Sequence, residues 1–475
     1  MKNWTKAILY TSCAFLTLEN HLMLSHASAK TTTQATNAAN ASSTEKHKIA
    51  PVDIKDFALK DGQPVWFVEN PELEIVTIGL VFEFAGQQSN PENKPGLSHF
   101  LTSMLDEGAG PYNSQAFKKK LIEKNVHMSI SSNQDNITVV FKTITSNIAE
   151  AFKLVKLALT EPIFENDAIT RLQQQIGAGL MQSLHQPQVV AKEHLLANIW
   201  GEKHPYVNNI EKRLEFIPKI TSADLREQLK RTLTQSNLKI AAAGNISESK
   251  LKADLEDLIA SLPKGEKITK SNCGKLENAG KIIHKTMDVP QTIIYFAHPG
   301  IDRKDPDFYA AYLLTQALGG NAFESRLWKE IREKRGLSYS ISLGLFNYNL
   351  KYGMLGGTST KTASVDEVIK LIREQWQDIA KNGITQSELD LQKQFVTESY
   401  PLNFDETSSI VKVLLSYQSE GLPKTYVSDR EELFTKITTD DIKRVAARML
   451  KSEDLTFLVV GKSEDLTFPV VGKKD

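Results

Sequence analysis

The stretch GLSHFLTSMLDEGAG (96–110) holds the first candidates for chemistry. Leu97, Phe100, Leu101, Met104 and Leu105 recur at the spacing of one buried helical face, leaving His99, Thr102, Ser103 and Asp106 for the other. Zinc hydrolysis on a helix needs two imidazoles close enough to share one ion and a carboxylate that takes a proton from the bound water. The pattern H-x-x-E-H supplies all three. His99 opens that pattern; Thr102 then stands in the place of the base and Ser103 in the place of the second ligand. Neither hydroxyl is anionic or a good zinc donor near neutral pH. Asp106 lies roughly 10 Å along the helix axis from His99, too far to share an ion with it. The expectation is a helix that kept one ligand, and no metal site.

The elements around this helix form two related halves. KITSADLREQLKRTLTQSNLKIAAAG (219–244) aligns without gaps to KITTDDIKRVAARMLKSEDLTFLVVG (436–461), with eight of the 26 positions identical. Each copy reads as a Thr- or Ser-capped helix, a turn and an apolar strand ending in Gly. Each half also offers an early strand, TIGLVFEFAG (77–86) and TIIYFAHPG (292–300), that precedes a helical stretch. The second of these helical stretches, DPDFYAAYLLTQALGG, ends in paired glycines. Strand runs followed by helix runs, twice over, predict an α+β fold of two homologous domains, each a mostly antiparallel sheet packed with helices. The polar stretch KGEKITKSNCGKLENAG (264–280) divides them, giving an N-terminal domain at 50–263 and a C-terminal domain at 281–475. At the end of the chain SEDLTFLVVGK is followed at once by SEDLTFPVVGK. Pro469 cannot donate to a sheet ladder, so the first copy is the interior strand.

Composition narrows the class. Basic and acidic residues balance at 57 each and 41% of the chain is apolar, so no basic stripe points to nucleic acid. Lys2 and Lys6, the apolar AILYTSCAFLTL and the small residues Ala27 and Ala29 form a signal peptide (1–29) cleaved after Ala29. Its apolar run is too short to span a bilayer, and no transmembrane span is expected. The polar, low-complexity residues 30–49 read as a flexible tether. Once the signal is removed Cys273 is the sole cysteine, so no intrachain disulfide forms. An exported, disulfide-free chain points to a bacterial periplasm.

PGLSHFLTSML, HPY (204–206) and LGGNAFESRLWKEIREKRGLSYSIS (318–342) resemble stretches of the pitrilysin/insulinase family of zinc peptidases, relatives of the mitochondrial processing peptidase. The resemblance runs from about residue 50 to 461. It implies a clamshell half made of the two domains. The family's third zinc ligand, a Glu, falls near Gly179, and no Asp or Glu occurs between 168 and 192. The degenerate positions are therefore His99, Thr102, Ser103 and Gly179.

The same resemblance assigns a role to REKRGLSY. In the family an Arg and a Tyr seven residues apart help hold the substrate peptide at the zinc site, and here these are Arg332 and Tyr339. A guanidinium fork and a phenol both donate to peptide carbonyls and to developing oxyanion charge. Bacterial members can split catalysis between a chain with the zinc motif and a chain with the Arg/Tyr pair. The resemblance thus implies a non-catalytic, substrate-positioning subunit of a periplasmic heterodimer, inactive alone. Its partner is an H-x-x-E-H chain of the same family that carries the zinc, while this chain holds no cofactor, and peptide is the substrate. The alternative is a scaffold of the same fold with no role in proteolysis.

Overall fold

Two early strands, Ile75–Phe82 and Thr292–Pro299, are buried along almost their entire length, the mark of strands covered on both faces. Each is central in a sheet. The computed structural model describes residues 52–266, 276, 277, 279–321 and 323–462. The expected signal peptide and tether, and the second copy of the C-terminal repeat, lie outside the described residues.

The N-terminal half is built on strands β1 (Lys55–Ala58), β2 (Pro64–Glu69), β3 (Ile75–Phe82), β6 (His127–Ser132), β7 (Ile137–Ile144) and β8 (Leu238–Gly244), with a small separate hairpin of β4 (Gly108–Ala109) and β5 (Tyr112–Asn113). Their order is β1-β2-β8-β3-β7-β6, antiparallel except where β2 meets β8. The C-terminal half uses β9 (Ile282–Thr286), β10 (Thr292–Pro299), β11 (Ser338–Asn347), β12 (Tyr352–Thr360) and β13 (Thr456–Gly461) in the order β11-β12-β10-β13-β9. Here too one pair, β13 with β9, is parallel and the rest antiparallel. The duplicated segments end as β8 and β13, each beside the long central strand of its sheet. Both are preceded by helices with a complete capping box, Thr221 with Asp224 and Thr438 with Asp441. The first copy of the C-terminal repeat forms β13, inside the sheet.

The period of two along β3 and β8 sorts their side chains between two cores. Val76, Ile78, Leu80, Phe82, Ile240 and Ala242 join the main N-terminal core. Val81, Ala241 and Ala243 face the other way and pack with Val411, Leu414 and Leu415. Those last three belong to the Thr407–Glu420 helix, which comes from the C-terminal half. The exchange is reciprocal, because the Pro187–Trp200 helix of the N-terminal half covers β10 and β13. Contact is close enough to dictate Gly79, where an added Cβ would fall 2.5 Å from both Leu415 and Val411. At one edge Thr77 and Thr407 share a hydrogen bond of 2.8 Å, so the seam is polar as well as apolar.

The halves also meet at equivalent hairpin tips, β6–β7 and β11–β12. Asp135 on the first tip accepts the hydroxyl of Tyr206 and, at 2.9 Å, the backbone N–H of Asn349 on the second. The Leu350 N–H donates to the Tyr206 oxygen at 2.9 Å. Tyr206, the last residue of the HPY stretch, is thus a tie between halves. It sits among Trp200, His204 and Tyr348. Burial and the charge of Lys351 push the His204 imidazole down to about 4, so the ring is neutral near pH 7.

Candidate functional site

Helix α1 (Leu97–Met104) opens at Gly96, whose φ of +84° suits a residue without Cβ. Asn90 fixes its first turn, accepting the Ser98 N–H at 2.8 Å and the Ser98 hydroxyl at 2.7 Å. Leu97, Phe100, Leu101, Met104 and Leu105 are all buried, as their spacing predicts. The other face differs from expectation at one position. Thr102 is only 4% exposed, because α1 is flanked by the Asn166–Leu184 and Ser222–Thr232 helices and not by solvent alone.

Both replacement hydroxyls turn back onto the helix. Thr102 donates to the His99 carbonyl at 2.9 Å and Ser103 to the same oxygen at 3.0 Å. Such back-bonding satisfies a hydroxyl that has no other partner. Gly179, on the neighbouring Asn166–Leu184 helix, is exposed, and a Cβ there would meet nothing within 4 Å. The position expected for the third ligand thus carries no donor side chain. Nearby acids do not fill it. Glu107 is buried and accepts from Ser114, Lys118 and Arg171. Burial pushes the Asp106 carboxyl up.

A cation lies beside the remaining imidazole. The Arg213 side chain crosses Gly96, where an added Cβ would be 2.8 Å from its Nε. Desolvation, together with the Arg213 charge, holds the His99 pKa below its ordinary value although part of the ring reaches solvent. Arg213 is itself tied to Asn208 at 2.7 Å, and Asn208 to Glu193 at 2.9 Å. Burial pushes the Glu193 carboxyl up to about 7. One imidazole, two hydroxyls bonded to backbone, a glycine and an adjacent guanidinium do not make a donor set for zinc. Among the described residues no group of three or more His, Cys, Asp or Glu could hold a metal ion.

Arg332 and Tyr339 are brought together. Arg332 lies in the last turn of a helical segment, Arg326–Glu333, whose Trp328–Glu333 part is π-helical. A second π-helical segment, Gln316–Gly320, ends the helix before it. Such widened turns are rare and frequently sit at functional sites. Gly336, at φ +60°, reverses the chain into β11. There the register with β12 shifts between Ser338 and Ile341, placing Tyr339 in a β-bulge of an edge strand. The Ser338 hydroxyl accepts the Ser340 N–H at 3.2 Å and so braces the bulge.

The Arg332 guanidinium stands 4.0 Å from the Trp328 ring and 4.8 Å from that of Tyr339. It is held by two aromatic faces and, among the described residues, makes no hydrogen bond or ion pair. Tyr339 is 71% exposed. Spacing alone did not reveal Trp328, four residues before Arg332 on the same helical segment. Its position suggests contact only once the helix is known to reach that far.

Comparison with known proteins now places the chain. Residues 65–211 match the model of the insulinase family, peptidase family M16, and residues 219–396 match that of the peptidase M16 inactive domain. The chain belongs to the insulinase (M16) family. It is 25% identical over 402 residues to the non-peptidase homolog YmxG of Helicobacter pylori, covering 84% of this chain and 91% of that protein. It is 22% identical over 407 residues to the mitochondrial-processing peptidase subunit beta of Saccharomyces cerevisiae, covering 82% and 87%. The crystal structure of a peptidase M16 inactive domain from Pseudomonas fluorescens superposes with a TM-score of 0.80 at 27% identity, over 86% of this chain and 98% of that one. The side chains on α1 and these relatives fit a non-catalytic M16 family member.

Proposed function

We propose that this M16 chain is the substrate-positioning subunit of a two-chain zinc peptidase, supplying Arg332 and Tyr339 to a partner that carries H-x-x-E-H and the zinc. One observation carries the reading. Among the described residues the pair is presented with its donors uncommitted, while the Thr102 and Ser103 hydroxyls of α1 are bonded to their own helix. A guanidinium held by rings keeps its N–H groups free for peptide carbonyls and for charge developing during hydrolysis. The relative in yeast is itself a subunit, and the H. pylori relative is a non-peptidase homolog, which supports a role in company rather than alone. The chain works in the periplasm, exported by a signal peptide cut after Ala29, with domains at 50–263 and 281–475 joined by 264–280. N-terminal sequencing of the exported protein should begin at Lys30.

The deciding experiment pairs this chain with the H-x-x-E-H chain that co-purifies with it from the native host. Tyr339→Phe keeps the ring and removes the hydroxyl, so assembly on a sizing column should be unchanged. Losing one donor aimed at developing charge costs about 10²–10³ in rate. Full turnover by the Tyr339→Phe complex would leave the chain a scaffold.

A further inference from the structure

A guanidinium with no polar partner among the described residues sits only as well as the backbone that carries it. The segment carrying Arg332, Arg326–Glu333, is far shorter than the ~12–15 residues a helix needs to hold itself in water. Glycines bound it on both sides, Gly319 and Gly320 before and Gly336 after. Its turns are widened, with the Lys334 N–H donating to the Lys329 carbonyl at 3.0 Å. A π turn holds one residue more than an α turn, so its loss would roll the rest of the segment by one residue, roughly 100°. Leu327 and Ile331 are buried in the C-terminal core. Apolar burial has no direction, however, and resists such a roll less than a bidentate hydrogen bond does.

Arg326, at the start of the segment, supplies the direction. Its Nε donates to Glu388 at 2.6 Å and its Nη2 to the same carboxylate at 2.9 Å. Nη1 reaches Asp378 at 2.5 Å, and Nη2 also reaches the Gly383 carbonyl at 3.2 Å. These acceptors lie on two helices, Val365–Asn382 and Gln386–Glu398, and in the turn between them. Glu388 is itself fixed, because it closes the capping box with Thr385. Burial opposes its ionisation, but Arg326 and Thr385 hold its carboxyl down at about 2, so the pair stays charged near neutral pH. One turn further along the same helix, Gln392 accepts from Asn321, ahead of the segment, at 3.4 Å. The two arginines of one short segment are thus opposites: Arg326 is bonded all round its fork and Arg332 is held by rings alone.

We propose that Arg326 is a positioning residue for peptide hydrolysis, whose clamp on Glu388 and Asp378 holds the π-helical roll that sets the Arg332 guanidinium against the rings of Trp328 and Tyr339. The inference rests on the substrate-positioning reading and deepens it, because Arg326 acts through Arg332 and not on the peptide.

The test is a double-mutant cycle in the mixed complex. Arg326→Lys keeps the charge and removes the fork. It should lower kcat/KM by about 10–100-fold, the scale of displacing a contact to substrate by about 1 Å. In an Arg332→Ala background the same substitution should cost less than about twofold, because the group it positions is already gone. Equal losses in the two backgrounds would make Arg326 a support of the fold alone, and no loss in the first would make the clamp dispensable; either overturns the proposal. Asp378→Asn leaves the bonds to Glu388 in place and serves as the milder arm. Its loss should be smaller and should likewise vanish in the Arg332→Ala background, which decides the matter should Arg326→Lys not fold.

A measurement on the chain alone separates this failure from failure of the parent reading. Amide hydrogen exchange, read by mass spectrometry over residues 328–337, reports the widened turns directly. Arg326→Lys should speed exchange there by about tenfold or more while the Val365–Asn382 helix exchanges as before. That result supports the clamp even if Arg332→Ala leaves turnover untouched and so sinks the substrate-positioning role. Unchanged exchange over 328–337 counts against the clamp whatever Arg332→Ala does.

Discussion

Helix α1 in the N-terminal half and the Arg332–Tyr339 segment in the C-terminal half are the two stretches that the family resemblance singles out, and their side chains are committed in opposite ways. On α1 the hydroxyls of Thr102 and Ser103 bond the carbonyl of His99, and Arg213 stands where a second positive charge, a metal ion, would be repelled. In the second segment Arg332 makes no polar bond among the described residues and Tyr339 projects from a bulge into solvent. A hydroxyl whose proton is spent on its own helix has no donor left for a ligand, whereas a cation fixed by rings keeps its donors. The contrast separates a site that has become structure from one that still presents donors.

The largest expected effect tests this contrast directly. In the mixed complex Arg332→Ala should lower peptide turnover by about 10²–10³-fold, while His99→Ala should leave it within about twofold. Parallel initial-rate measurements on the two complexes, with assembly checked by sizing, give the answer. Equal losses in both variants would mean that α1 still takes part and the contrast is false.

The next effect asks whether the two regions are mechanically independent. Leu415, on the Thr407–Glu420 helix of the C-terminal half, is buried against β3 of the N-terminal half. Leu415→Ala should cost about 2–4 kcal/mol, and Gly79 offers no side chain to fill the space. Urea unfolding followed at tryptophans of both halves should show one shared shift of the midpoint. Two separated transitions would show that the exchanged helices do not bind the halves into one cooperative unit.

How far these features could be read from sequence differs between the regions for physical reasons. The buried face of α1 was legible because Leu97, Phe100, Leu101, Met104 and Leu105 keep a single period, and the two-sheet plan because the duplicated segment ends in a strand twice. The burial of Thr102 was not, since it depends on two helices that arrive from far along the chain. The exchange of helices was not legible. Residues 77–86 read as a strand, but the burial of Ile75–Phe82 on both faces, and the helix that covers the second one, come from far along the chain. Arg332 and Tyr339 were legible only through resemblance to a family, because a lone Arg and Tyr seven apart fit many structures. The stacking on Trp328 and the bulge at Tyr339 are products of π-helical and bulged backbone, for which the local sequence carries no dependable pattern.

A smaller effect concerns what replaced the metal face. If the network of Glu193, Asn208, Arg213 and His99 is structural, titrating it should move stability and not turnover. Burial raises the Glu193 pKa from 4.5 to about 7. Between those values the folded state binds more protons than the unfolded one, so this group's contribution to stability falls as pH rises through the window. Glu193→Gln keeps the acceptor for Asn208 and removes the charge. It should raise stability at pH 8 by on the order of 1–3 kcal/mol and change nothing at pH 4, as read from denaturation midpoints. A variant equally destabilised at both pH values would show that the carboxylate is ionised and needed where it stands.

The smallest effect belongs to Ser103, and its smallness is what the contrast requires. Among the described residues the Ser103 hydroxyl bonds only the His99 carbonyl, an oxygen that Thr102 also uses. Ser103→Ala therefore strands no buried partner, since the carbonyl keeps one hydroxyl donor. Alanine is also the better helix former, by up to about 0.5 kcal/mol, and back-bonding serines slightly weaken helices. The balance is a change within about 0.5 kcal/mol, on the stabilising side, with mixed-complex turnover unaltered. Thermal unfolding and initial rates on the same preparation measure both. A fall in turnover beyond about twofold would mean that the hydroxyl acts on substrate, and the contrast between α1 and the Arg332–Tyr339 segment would be false.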